Sequence, residues 1–262
     1  MIEQWRRGIK VFDFRVRQLF AVLAAATCAA CAGTPTGTPL QSNAVAAAPS
    51  VAVGDTWTYR VRDAFTGLER GNQGHRVVDV AGDRIVMVVT REGGGEESWI
   101  YDRGWNWLKH PAHGLQSFDY NPSYRAFDFP LAPGKTWRAR LTATDPASGR
   151  RFPVWIDGVV LGWERIKVPA GEFDALRVKR VVFFDYLEFT VRGRSEILEY
   201  EWYAPAVKQA VRREASAMYL SFLYGGRDSH GFLRADMFDE SSGRGFVPDD
   251  WLISELVNYS VR

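Results

Sequence analysis

Through most of residues 51–262, hydrophobic and polar side chains alternate with a period of two. In residues 56–62, Trp57, Tyr59 and Val61 share one face and Thr58, Arg60 and Arg62 the other, the pattern of a half-buried strand. Residues 75–81 and 84–92 flank Gly82-Asp83, a hairpin signal, and Gly93-Gly94-Gly95 ends the pair. Residues 98–102 and 105–109 flank Arg103-Gly104 in the same way. Trp105 and Trp107 are two apart and are expected to point the same way. Residues 110–133 have no clean period. Pro111, Pro122, Pro130 and Pro133 interrupt Phe118, Tyr120, Tyr124, Phe127 and Phe129, so an irregular connection pinned by its aromatic rings is expected.

The strongest alternation lies in residues 168–214. A tight turn, Pro169-Ala170-Gly171-Glu172, opens it. Runs at 173–184 and 189–203 follow, then Tyr203-Ala204-Pro205 and a third run at 206–214, which together predict an antiparallel meander. Before it, residues 151–157 and 159–168 predict a hairpin about Asp157-Gly158. After it, the nearly all-apolar residues 215–224 predict a buried strand. Residues 225–250 are polar and glycine-rich and predict a long loop. Residues 251–262 alternate again and are expected to close the sheet. No stretch of the domain carries a helical period with caps. The fold class expected is all-β: an antiparallel curved sheet or open barrel.

The element Gly54-Asp55-Thr56-Trp57 recurs 80 residues later as Gly134-Lys135-Thr136-Trp137. Each copy leads a strand that ends near Thr66-Gly67 or Ser148-Gly149. Two related halves, near 51–132 and 133–262, are therefore an expectation, with too few copies and too long a period for a solenoid.

Residues 1–31 differ in character. Arg6, Arg7, Lys10, Arg15 and Arg17 form a basic start, residues 19–26 an apolar core, and Thr27-Cys28-Ala29-Ala30-Cys31-Ala32 a run of small residues. This is the layout of an export signal, and its apolar run falls well short of the roughly 20 residues of a membrane span. Cys28-Ala29-Ala30-Cys31 resembles the lipobox of bacterial lipoproteins, with Cys31 the lipidated residue. Ala25-Ala26-Thr27-Cys28 is a poorer match, and cleavage near Ala30 or Ala32 without a lipid is the plain alternative. By analogy with such lipoproteins, Ala32 favours the outer membrane, periplasmic face; without a lipid the protein would be soluble in the periplasm. A terminus bearing more than one acyl chain, such as palmitate, anchors stably. Residues 32–50, uncharged and rich in Thr, Pro, Ala, Gly and Ser, read as a flexible tether.

Both cysteines lie in the leader, so neither a disulfide nor a thiolate is available to the β-rich domain at 51–262. The net charge of +2 also belongs to the leader: without residues 1–30 the chain has 28 basic and 29 acidic residues. A near-neutral domain gives no reason to expect a nucleic-acid partner.

Four segments resemble a group of exported bacterial β-proteins of unknown function, the TapB-like or YmcC-like proteins. They are residues 53–59, residues 168–178, the pair Trp202-Tyr203-Ala204-Pro205 and Val211-Arg212-Arg213-Glu214, and residues 255–259. The chain departs from the group at Ala206 and Lys208-Gln209, where glycine and a small apolar residue would be expected. The resemblance implies a curved sheet similar to the outer-membrane lipoprotein carriers, and brings no catalytic residue with it.

Few residues suggest chemistry. No Gly-x-Ser-x-Gly occurs, and Ser229-His230 are sequence neighbours that rarely face each other. His110 and His113 offer two imidazoles, but Asp119 and Asp128 do not complete a recognised metal spacing. Glu199 and Glu201 share a strand face opposite to Glu196. They read as a solvated row paired with Arg192 or Arg194 rather than a glycosidase pair. Gly93-Gly94-Gly95 has no helix behind it to bind phosphate. No catalytic residue, metal or cofactor is assigned. Ten Trp, ten Tyr and sixteen Phe are expected mostly in the core. Trp105, Trp107, Tyr120 and Tyr124 are the candidates for a ligand site, as a stacking platform or the mouth of an apolar cavity. The expected function is a non-enzymatic envelope lipoprotein, held to the membrane by its lipid. It would bind an apolar ligand such as a lipid, or an envelope protein partner, in a curved sheet. The alternatives are a carbohydrate-binding module using the Trp cluster and a hydrolase using the 225–250 loop.

Overall fold

A computed structural model of the chain describes residues 37–112, 117–188, 191–220 and 246–262. The leader with Cys31, and also His113, Ser229 and His230, lie outside them. Among the described residues there are thirteen strands. After the short β1 (Thr38–Leu40) come β2 (Thr56–Asp63), β3 (Glu69–Ala81), β4 (Arg84–Arg91), β5 (Glu96–Asp102), β6 (Trp107–Pro111) and β7 (Ser117–Tyr124). The second half holds β8 (Thr136–Thr144), β9 (Arg151–Val168), β10 (Gly171–Glu188), β11 (Val191–Ala204), β12 (Gln209–Leu220) and β13 (Phe246–Ser260).

From β2 to β13 each strand pairs antiparallel with the next, and β13 returns to β2. The sheet is therefore a closed up-and-down barrel of twelve strands, with β1 added beside β9. Closure leaves those twelve without a free edge. Alternation sets the inner face. In β2 every second residue is buried, with Trp57, Tyr59 and Val61 turned inward as expected. The outer face carries cross-strand ion pairs, among them Arg165–Asp174, Arg138–Asp157 and Arg177–Glu164.

The segments that lead into β2 and β8 are alike. Gly54 and Gly134 both take positive φ, 92° and 81°. Gly54 N–H donates to Val77 and Gly134 N–H to Val160, while Val77 N–H donates to Asp55 and Val160 N–H to Lys135. The far ends of β2 and β8 match too. Asp63 and Asp145 each cap a turn that closes on a glycine, Gly67 or Gly149.

Four expectations are corrected. Asp157-Gly158 is no turn: β9 runs through it unbroken. Gly158 pairs with Trp137 across the strands, and a Cβ there would lie 2.2 Å from the Trp137 ring. Glycine is needed for close approach, not for bending. Residues 110–133 are only partly irregular, because β7 lies within them; its prolines hid the alternation of Phe118, Tyr120 and Tyr124. Residues 246–250, read as the end of the long loop, belong to β13. Finally, residues 37–50 are not all tether. Ala46 is buried and bridges Leu131 through two backbone hydrogen bonds, and the Trp163 indole N–H donates to the Ala44 carbonyl.

Candidate functional site

Twelve strands enclose more room than the eight whose side chains just fill a barrel. Here much of it is occupied by large rings, by Ala126, Phe127 and Leu131 from the connection after β7, and by a cluster of charges. The register builds the cluster. Arg180 on β10 lies opposite Glu199 on β11, and Glu201 lies opposite Arg213 on β12. Arg180 is fully buried. It donates at 2.8 Å to Glu199, to Glu201 and to the Ala126 carbonyl. Arg213 donates to Glu199 at 2.6 Å, its Nε lies 3.2 Å from Glu201, and the Tyr124 hydroxyl donates to Glu199 at 2.8 Å.

Burial alone would raise the Glu199 pKa. The charges of Arg180 and Arg213 outweigh it and, with the hydrogen bonds from Tyr124 and Arg213, hold the carboxyl well below its usual range. The same contest on Arg180 is won by Glu201 and Glu199, so its pKa is raised despite burial. Two arginines and two carboxylates thus neutralise each other inside the barrel. Glu199 and Glu201 do share a face, as expected, but it is the inner one. A solvated row paired with Arg192 or Arg194 is ruled out for this pair, because their partners are Arg180 and Arg213. The missed signal was Arg180 itself, which lies in phase with Leu176, Val178, Val182 and Phe184.

Beside this cluster is a cavity of about 90 Å³. Its walls include Trp99, Tyr101, Trp105, Trp107, His75 and Arg213. Trp107 is sandwiched in a three-ring stack, with His110 and Tyr124 each 3.9 Å away and nearly parallel. The Arg213 guanidinium lies 4.9 Å from the Trp107 ring centre. Burial, helped by Arg91 and Arg213, pushes the His75 pKa down to about 3. Burial and Arg213 likewise push His110 well below its usual range. Both rings are therefore neutral near pH 7.

Trp105 and Lys208 are the non-glycine residues with positive φ among the described ones, at 60° and 58°. They are bonded to each other: the Trp105 indole N–H donates to the Lys208 carbonyl at 2.7 Å. The left-handed backbone at Lys208 explains why glycine is expected there. Its side chain is itself tied down, by Asp55 at 3.3 Å and by the Arg262 carbonyl. Strain of this kind persists only where the surroundings enforce it.

Trp105, Trp107, Tyr120 and Tyr124 are thus brought together but are not a surface platform. All are at most 5% exposed, which leaves no ring face for a sugar. Trp105 and Trp107 do line the cavity, and Tyr120 and Tyr124 lie behind it. Nor is the cavity apolar, since Glu201, Arg213, Gln73 and Gln209 share its lining. His110 is turned inward, its Nδ1 2.7 Å from the Pro111 carbonyl. Among the described residues, no three His, Cys, Asp or Glu side chains converge as metal ligands.

No family model and no curated protein matches the chain. Solved structures similar to it include a protein of Parabacteroides distasonis classed as a lipoprotein. It is 17% identical, with 83% of this chain and 100% of that one covered and a TM-score of 0.46. An exported protein with a YmcC-like fold from Bacteroides fragilis is 16% identical over 82% of this chain and 99% of that one, with a TM-score of 0.45. The hypothetical lipoprotein YmcC of Escherichia coli is 9% identical over 79% and 86%, with a TM-score of 0.38.

Proposed function

We propose that the chain is an exported protein of the cell envelope, anchored through a lipid on Cys31, whose barrel works by binding rather than by chemistry. The observation that carries the binding role is the aromatic cavity beside the Arg180, Glu199, Glu201 and Arg213 cluster. Glu199 is held ionised by Arg180 and Arg213, Glu201 is ion-paired with the same two arginines, and His75 and His110 are held neutral. The anchor rests on the leader and on Cys28-Ala29-Ala30-Cys31.

The cavity also narrows the ligand. A 150 Å³ apolar cavity is known to hold a single benzene. At about 90 Å³ and with charged walls, this one is too small and too polar for an acyl chain. An apolar lipid cargo held in this interior cavity is therefore dropped from the reading, and a small polar ligand takes its place. A protein partner stays as the second reading, favoured by the exposed Phe65 and Trp251, which meet edge to face at one end of the barrel.

Metabolic labelling with a clickable palmitate analogue, followed by membrane fractionation, tests the anchor. Label and membrane association are expected in the wild type and lost in Cys31→Ser. Equal labelling in that variant would overturn the assignment.

A further inference from the structure

The atoms left without partners around the cavity share a chemical character. The His75 Nε2 is buried with no hydrogen-bond partner, and the buried Trp99 Nε1 makes no hydrogen bond of good geometry, although its N–H is close enough to the Glu97 carboxylate to help lower that group's pKa. The Arg213 Nε is buried and lacks hydrogen-bond geometry, although it lies 3.2 Å from Glu201. The indole and the guanidinium can only donate, and a neutral imidazole donates when Nε2 carries its proton. With the proton on the His75 Nε2, these three atoms are donors in a wall that also carries the acceptors Glu201, Gln73 and Gln209. Buried donors of this kind are costly to leave unpaired, and a site that keeps them is built for something that accepts.

Size and access set the rest. At about 90 Å³ the cavity is smaller than the roughly 150 Å³ that holds one benzene, so the ligand portion it encloses is small. The Arg213 side chain keeps 25% of its surface exposed, unlike Arg180 at 0%. The outer of the two interior arginines is thus the one an entering ligand meets.

We propose that this cavity is an oxyanion pocket that takes a small carboxylate on Arg213, the Trp99 indole N–H and the His75 Nε2–H. The assignment rests on the reading of the barrel as a binding protein and gives that reading a ligand class. The aromatic walls, Tyr101, Trp105 and Trp107, suit a short apolar or planar remainder. Arg213 is the cation in the cavity wall, with the Glu201 carboxylate beside it.

The test uses the purified full chain with ¹⁵N-labelled tryptophan, followed by NMR at constant ionic strength. Acetate and propionate are the probes, acetamide the neutral isostere and methylammonium the cation. Acetate should move the Trp99 indole N–H resonance in a saturable way, with a Kd of the order of millimolar for so small a ligand. Acetamide and methylammonium should leave it in place. His75→Phe keeps the ring between Tyr59 and Trp99 and removes one donor, and should weaken acetate about tenfold or more. Arg213→Lys should do at least as much, and a urea melt shows whether that variant is folded.

An unmoved resonance up to about 100 mM acetate in the folded wild type would overturn the proposal. So would equal binding in a folded His75→Phe. Saturable binding of acetamide or methylammonium instead would retain a binding barrel and refute the oxyanion assignment. No response to any probe would count against a small-ligand role for this cavity, while the palmitate experiment decides the anchor separately.

Discussion

Replacing Arg180 by methionine keeps much of the side chain's length and removes its charge. In the wild type the guanidinium makes three contacts of 2.8 Å, to Glu199, Glu201 and the Ala126 carbonyl, with no solvent access. Removing one partner of a buried pair leaves an uncompensated charge and costs about 3–5 kcal/mol. Arg213 still bridges both carboxylates, so the expected loss at pH 7 lies at the lower end, about 3 kcal/mol. Against a typical domain stability of about 5–15 kcal/mol the variant should still fold. Urea melts would measure the loss as a fall in midpoint at constant m.

The pH dependence gives a second signature. In the wild type, Glu199 has a folded pKa below its unfolded value. Its contribution is present above the unfolded pKa and declines as pH falls through the folded one. Without Arg180, burial gains weight and the folded pKa rises. The penalty in the variant is then greatest at high pH and shrinks as acid protonates the carboxyl. The gap between the two proteins should narrow from pH 8 to pH 5. A loss under about 1 kcal/mol, or a gap that widens in acid, would refute the reasoning.

Gly158→Ala would place a Cβ 2.2 Å from the Trp137 ring, so the ring must move, and a loss of about 1–3 kcal/mol is expected in urea melts. Trp137→Leu in the same chain should recover part of it; strict additivity of the two changes would contradict the contact. The folded-state pKa of His75 is depressed to about 3, so the unfolded chain binds its proton first as pH falls. Stability should decline from about pH 6.5 downward by about 1.4 kcal/mol per pH unit for each such histidine, with a shallower slope in His75→Phe. Trp107→Ala should leave glycan-array signals at background, as in the wild type, and lower stability by about 3–5 kcal/mol through the cavity it opens.

The architecture was legible wherever one face of a strand is wet. Trp57, Tyr59 and Val61 announce β2, and Gly82-Asp83 marks the β3–β4 turn it occupies. That residues 251–262 close the sheet was legible in their alternation, but their pairing with β2 was not, because it joins segments almost 200 residues apart and no local pattern encodes it. Gly158 misled for a physical reason: a glycine that turns a chain and one that admits a ring look the same in sequence. The interior charges were hidden by a default that holds for most proteins, namely that arginine and glutamate at period two face water. Only the phase of Arg180 among buried aliphatic residues contradicted it. The four aromatic candidates lie in the buried core, and their exposure depended on how residues 125–135 fold back, which spacing alone cannot show.

Native mass spectrometry of the full chain extracted from membranes tests the account most directly, because covalent and bound lipid are separated in one spectrum. The predicted species begins at Cys31, carries lipid on that residue and releases no further lipid when the barrel is unfolded in the gas phase. A stoichiometric fatty acid or phospholipid freed on unfolding would contradict it.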